Sequence, residues 1–123
     1  MIAYLSVALG GAVGATLRYV IGQILPPMKS GFPYATLVIN VLGCLLIGAL
    51  YVLIVERAAQ DNYLRELLIV GALGGFTTFS TFSLETLHLW QSGQASMALL
   101  YIVLSVVFCI VATLTAVSLV RLI

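Results

Sequence analysis

Charged side chains are almost missing from this chain. Of its 123 residues only 7% are charged, five basic and four acidic, where a soluble domain carries roughly 25%. With 63% of the residues hydrophobic, water could not dissolve the surface, and the class is integral membrane protein. Histidine occurs once, as His88, and cysteine twice, as Cys44 and Cys109. Neither cysteine has metal-ligand spacing or a nearby histidine, so both read as small packing residues. A net charge of +1 gives no basic footprint for nucleic acid. No nucleophile–base pair or metal cluster is present, so an enzyme is not expected. Linkers and low-complexity tracts are absent too. The apolar N-terminal stretch lacks the charged start and short apolar core of a signal peptide, so no cleavable signal is expected.

What the chain does have is long apolar runs. A membrane helix needs about 20 mostly apolar residues, and four stretches qualify, at about 3–25, 34–55, 63–90 and 96–122. Pro26-Pro27 ends the first. The connections between them are short, which makes neighbouring helices antiparallel. The expected fold is all-α: a single four-helix transmembrane domain over residues 1–123. Gly10 and Gly14, and likewise Gly71 and Gly75, are spaced by four. Small residues at that spacing let helices approach closely in lipid, so the first and third spans are expected to pack through them. Four short helices cannot enclose a polar path and still face lipid, so oligomerisation is expected on size grounds.

Both termini and the 56–62 loop fall on one side, with Arg57, Arg65 and Arg121. The other side has Lys29, with Arg18 near that end of the first span. Lys and Arg normally concentrate in cytoplasmic loops, and here they hardly do. Two readings follow: one orientation with a weak bias, or insertion both ways and antiparallel pairing of two copies.

The third span contains Gly71-Ala-Leu-Gly-Gly-Phe-Thr-Thr-Phe-Ser-Thr-Phe-Ser83. Its glycines predict a helix break at membrane depth, where freed backbone groups need protein or a cavity around them. Phe79 and Phe82 are three apart, on one face, among Thr77, Thr78, Ser80, Thr81 and Ser83. A phenyl ring has a positive edge, against which an anion can rest without meeting a full positive charge. That holds it weakly enough to leave again. In the second span, Asn40 shares a face with Thr36 and Gly43. It is either an interhelical hydrogen bond or a donor lining a pathway. Tyr101, Ser105, Cys109 and Thr113 recur every four residues on the fourth span and form one stripe, read as facing water or an ion. Single hydroxyls that bond back to their own helix are the alternative. Ionisable residues inside a span are functional by default. Arg18 and Glu85 lie at the same membrane side, able to pair or to snorkel outward. His88 reads as interfacial. An inventory of hydrogen-bond donors without deep carboxylates argues against a proton-coupled cation exporter and suits a small anion that demands hydrogen bonds.

These residues resemble a known family, the Fluc (CrcB-type) fluoride channels of microorganisms. The likeness covers essentially the full length. It rests on Gly10-Gly-x-x-Gly-Ala-x-x-Arg18-Tyr, Thr36-Leu-x-x-Asn40-x-x-Gly43 and, most specifically, Gly74-Gly-Phe-Thr-Thr-Phe-Ser-Thr-Phe82-Ser-x-Glu85. The resemblance implies an antiparallel, dual-topology homodimer in the inner (cytoplasmic) membrane, with lipid around it and two pathways. Through them fluoride would leave the cytoplasm passively and selectively, which relieves its toxicity. It implies that Asn40 is the pore amide, that Phe79 and Phe82 form the aromatic pair with Ser80 and Thr81 beside them, and that Tyr101 and Ser105 begin a polar track. It implies a structural sodium ion at the dimer centre, held by backbone carbonyls of Gly74 and Thr77. Arg18 matches the family's basic vestibule residue and Glu85 an acidic position. Cys109 departs from the family, standing where a hydroxyl is expected. The rival expectations are a small four-helix multidrug exporter, disfavoured because the first span has no embedded Glu, and a non-transporting membrane subunit.

Overall fold

The computed structural model describes residues 1–25, 31–58 and 62–123. Four of its helices are long and apolar enough to cross a membrane. Helix α1 is Ile2–Ile24 and α2 is Tyr34–Arg57, whose final stretch, Tyr51–Arg57, is wound as a π-helix. The third span, Arg65–Gln91, falls into α3, residues 62–76, which is π-helical over Arg65–Leu73, and α4, Phe79–Gln91. Helix α5 is Ala95–Leu122.

Local chemistry sets the ends. Leu25, with φ −79 and ψ 111, precedes Pro26, and the proline ring pushes the residue before it out of the helical region. Pro26, Pro27 and Lys29 themselves lie outside the described residues. Helix α4 ends in a Schellman motif: the Gln94 N–H donates to the Leu89 carbonyl at 2.9 Å and the Gly93 N–H to the Trp90 carbonyl at 3.1 Å. Gly93 supplies the positive φ, 79°, that this turn requires. The chain reverses there, and α5 returns along α4 around a core of Phe82, Leu89, Ala98 and Tyr101.

Helices α1 and α3 run in the same direction and meet backbone to backbone. A Cβ added at Gly14 would stand 1.9 Å from the Ala72 carbonyl oxygen, and one at Gly10 would stand 2.1 Å from that of Leu67. From the other side, a Cβ at Gly75 would stand 2.6 Å from the Gly11 carbonyl oxygen. This is the close packing that the four-residue glycine spacing predicts. It also corrects the expectation that the glycines form the interruption. Gly71, Gly74 and Gly75 are all helical, and the chain leaves the helix just after them, at Thr77 (φ −79, ψ 157) and Thr78 (φ −150, ψ 117). Gly71 and Gly75 are consumed in seating α1.

Helix α2 lies between the interruption and α5. Its Gly48 admits the α5 backbone, where a Cβ would stand 2.6 Å from the Thr113 carbonyl oxygen. At the termini side, the Arg121 guanidinium forms an ion pair with Glu56, and Arg57 donates to the Val120 carbonyl at 2.7 Å. A basic group on a helix's last carbonyls complements its dipole. In α1 only Gly10 and Gly14 are buried, so most of that helix turns an apolar surface outward.

Candidate functional site

The interruption in the third span frees backbone polar groups, and side chains from two other helices take them up. In an unbroken helix the Thr78 N–H would reach the Gly74 carbonyl. Here it donates to Asn40 Oδ1 at 2.8 Å, while Asn40 Nδ2 donates to the Thr78 carbonyl at 3.0 Å. The side-chain amide thus pairs with the extended residue as a neighbouring strand would. The Gly75 carbonyl accepts from Arg18 Nε at 3.1 Å, and the Leu73 carbonyl accepts from both the N–H (3.0 Å) and the hydroxyl (2.9 Å) of Thr77. Thr78 then caps α4: its Oγ1 accepts from the Thr81 N–H at 3.2 Å and donates to Thr81 Oγ1 at 3.0 Å. A residue of this type at the cap satisfies one of the helix's orphan donors. Gly43 lets α2 approach, since a Cβ there would meet Thr77 Cγ2 at 2.2 Å.

Arg18 and Glu85 do not pair. Arg18 is spent on the Gly75 carbonyl, and Glu85 accepts two neutral hydrogen bonds instead. The Thr36 hydroxyl donates to Oε1 at 2.8 Å and the Tyr101 hydroxyl to Oε2 at 2.7 Å. Thr36 is 6% exposed and Tyr101 0%, so α2 and α5 both hold the carboxyl from the protein side. Beyond it a cavity of about 610 Å³, bordered by Glu85, His88 and Phe32, opens toward the far end of the span.

A second cavity, of about 320 Å³, lies on the other side of this cluster, beside the interruption. Asn40, Thr77, Thr78, Phe79, Phe82, Ser105 and the two cysteines line it. The Phe79 and Phe82 rings are 5.3 Å apart and tilted by 43°, and Phe82 continues to Tyr101 at 5.1 Å. Phe79 is 77% exposed and Phe82 only 8%, so one ring projects outward and the other is in the wall. The Ser80 hydroxyl, also at the surface, lies 3.3 Å from Thr78 Oγ1.

The stripe on α5 divides its labour. Tyr101 commits its proton to Glu85. Thr113 bonds back, to its own helix at the Cys109 carbonyl (3.1 Å) and across to the Cys44 carbonyl (3.2 Å). Ser105 and Cys109 line the cavity. The Ser105 hydroxyl is buried and makes no hydrogen bond within the described structure. An orphaned buried hydroxyl costs free energy, about 1–3 kcal/mol. At a cavity wall it is a donor without a partner.

Two contributions escaped sequence reasoning. Thr36 stood on the right face but gave no sign of its acceptor, and Arg18's target is a backbone atom that no pattern of side chains reveals. Glu66 was also passed over; its Oε2 is buried without a partner among the described residues.

Comparison with known proteins places this geometry in context. Residues 5–117 match the family model described as CrcB-like protein, Camphor Resistance (CrcB). A protein of Saccharophagus degradans named fluoride-specific ion channel FluC is 50% identical over 97% of this chain and 90% of its own length. Proteins of the same name from Rhizobium etli and Hahella chejuensis are 44% and 45% identical, over 98% and 95% of this chain and 98% and 93% of their own.

Proposed function

We propose, from the premise that this chain belongs to the CrcB-like family, that it is a fluoride-specific ion channel of a multi-pass membrane protein type. It exports fluoride passively across the cytoplasmic membrane and so limits fluoride toxicity inside the cell. The observation that carries the reading is the Ser105 hydroxyl, buried and unpartnered at the wall of the cavity that Phe79, Phe82 and Asn40 share.

The chemistry fits a small, strongly hydrated anion. Leaving water costs fluoride its hydrogen bonds, and the wall replaces them with neutral donors: the Ser105 hydroxyl and the second N–H of Asn40, whose first is held by Thr78. The ring edges of Phe79 and Phe82 add positive potential without a fixed charge. Among the described residues no Lys or Arg lines this cavity, so no fixed cation there holds the anion too tightly to leave. Ser80 and Thr81 sit at the cap of α4 beside the exposed Phe79 and belong to the approach. Tyr101 acts one step back, through Glu85 and through its ring contact with Phe82. Arg18, bonded to Gly75, tunes the approach through its charge and holds the interruption in place.

The functional unit is an antiparallel, dual-topology homodimer with lipid around it. Three observations support this. The outward surface of α1 is apolar, the candidate cavity opens to the side of a single chain, and two of the arginines that would bias orientation are engaged with Glu56 and the end of α5. A structural sodium ion at the dimer centre belongs to the same reading. Thr78 withholds its N–H from the Gly74 carbonyl, which leaves Gly74 and Thr77 with main-chain oxygens of the kind hard cations take. Two copies across a two-fold axis would supply four such oxygens. The ion's part would be to tie two interrupted helices together; conduction needs no chemistry from it.

The deciding measurement is ion efflux from liposomes holding the purified protein, read with fluoride and chloride electrodes in parallel and without a proton gradient. Fluoride efflux without chloride efflux is expected. Efflux of neither ion, with drug-driven proton flux in its place, would move the protein to the exporter class.

A further inference from the structure

The two cysteines line the candidate fluoride cavity without a role assigned to them there, and the fold brings them to one place. Cys44 is on α2 and Cys109 on α5, the Thr113 hydroxyl lies 3.2 Å and 3.1 Å from their carbonyl oxygens, and both line the cavity beside the interruption. The helices are held close on the next turn by Thr113, whose hydroxyl reaches the carbonyls of both cysteines, and by Gly48, which has no side chain to keep α5 away. Both side chains are half-buried and free. They are reached through the cavity, and neither is in a disulfide among the described residues.

We propose that Cys44 and Cys109 form a two-thiolate site for a soft divalent cation, Hg2+ being the probe, and that its occupation closes the pathway. Two sulfurs on facing helices match what such a cation requires, since soft thiolate ligands select soft metals. Zinc and its like need about four ligands, and no group of three or more His, Cys, Asp or Glu is found among the described residues. A cation content with two sulfurs is therefore favoured over one that needs a full shell. Charge points the same way. Binding displaces one proton from each thiol, both protons leaving to solvent, and forms two sulfur–metal bonds. The product S–Hg–S carries no net charge, so no unpaired charge is left in a low-dielectric wall. The filled site stands one turn from Ser105 on α5 and one turn from Asn40 on α2, beside the cavity that fluoride would cross.

The effect on flux rests on the fluoride-channel reading, whereas metal binding does not. The two are read separately. Purified dimer is loaded with Hg2+, washed with excess free cysteine, and assayed for bound mercury. Wild type is expected to retain one Hg2+ per chain. Cys44→Ser and Cys109→Ser should each lose the chelate advantage of a second tethered thiolate, about 10²–10⁴-fold in affinity, and be stripped by the wash. Cys44→Ala and Cys109→Ala serve as second variants should a serine disturb the helix pair. Retention by the single variants equal to wild type, or none by wild type, would overturn the site. In liposomes, each protein being referred to its own untreated rate, Hg2+ should abolish fluoride efflux from wild type and spare the double serine variant. Mercury retained with undiminished efflux would overturn the closure. A wild type that conducts no fluoride before treatment fails the channel reading and leaves the mercury result standing by itself.

Discussion

Two seams hold this bundle, and they are built on opposite principles. Where α1 meets α3, small residues dominate: Gly10 and Gly14 face Gly71 and Ala72, Gly11 faces Gly75, and backbone rests on backbone. Where α2 meets α4 and α5, side chains do the joining, through Asn40 to Thr78, Thr36 and Tyr101 to Glu85, and Thr113 to Cys44. The first seam is close, and its directed contact is the hydrogen bond from Arg18 to the Gly75 carbonyl at one end. The second leaves two cavities and an unpartnered hydroxyl. Dispersion between small residues gives adhesion in lipid but nothing an ion can use. Directed hydrogen bonds leave gaps, and the gaps are where polar cargo fits. On the proposed function, adhesion falls to one seam and the ion path to the other.

That contrast can be broken first at the glycine seam. Gly14→Leu forces a side chain into a place where even its Cβ would lie 1.9 Å from a carbonyl oxygen. Overpacking costs about 1–3 kcal/mol and occasionally more, and with backbone as the obstacle the upper end is expected. Loss of the folded species on size exclusion checks it. Gly22→Ala on the same helix, with nothing within 4 Å, should leave elution and thermal stability unchanged; parity of the two variants would dissolve the seam.

The clasp at the interruption comes next. Asn40→Ala orphans the N–H and C=O of Thr78, each at about 1–3 kcal/mol when buried. Fluoride flux should fall by more than tenfold and thermal stability should drop, read by efflux and by unfolding in detergent. Unchanged flux would remove Asn40 from the pathway. Glu85→Gln is expected to be milder. The amide replaces one acceptor oxygen with an N–H donor, so one of the Thr36 and Tyr101 hydroxyls must accept from it and its own O–H proton loses an acceptor, at about 1–3 kcal/mol. In a cycle with Tyr101→Phe the two costs should not add, because the residues share one hydrogen bond; additive unfolding energies would mean the network is not a unit.

The smallest effect on stability, and the sharpest test of the comparison, is Ser105→Ala. The hydroxyl makes no hydrogen bond within the described structure, so its removal should be neutral or slightly stabilising, while fluoride flux declines. A variant that loses stability but keeps its flux would make Ser105 a packing residue of an ordinary seam.

The sequence showed the two seams unequally. Glycines spaced by four announce close helix packing, and Gly10, Gly14, Gly71 and Gly75 pack as that spacing predicts. The same glycines misplaced the interruption, because a sequence does not say whether a glycine is bent or merely small. Thr77 and Thr78 leave the helix because Asn40 and Arg18, from other helices, offer substitute partners. That is a tertiary fact. The stripe of Tyr101, Ser105, Cys109 and Thr113 was legible as a face, but not its division. Tyr101 and Thr113 find acceptors, and Ser105 does not. Opposite charges at one membrane level left Arg18 and Glu85 able to pair or to snorkel outward. Each found a closer partner, and a carbonyl oxygen is invisible in any motif.

The α1–α3 seam has a consequence for descent. Most protein contacts improve or degrade by degrees, and a poor one can be mended by trying a neighbouring residue type. This contact is made of missing atoms, and nothing smaller than glycine exists. Every substitution at Gly10 or Gly14 adds matter where a backbone oxygen already stands, so no path of small repairs leads away from it. A lineage carrying this seam can vary its pore by steps, but the joint beside the pore stays as it was inherited.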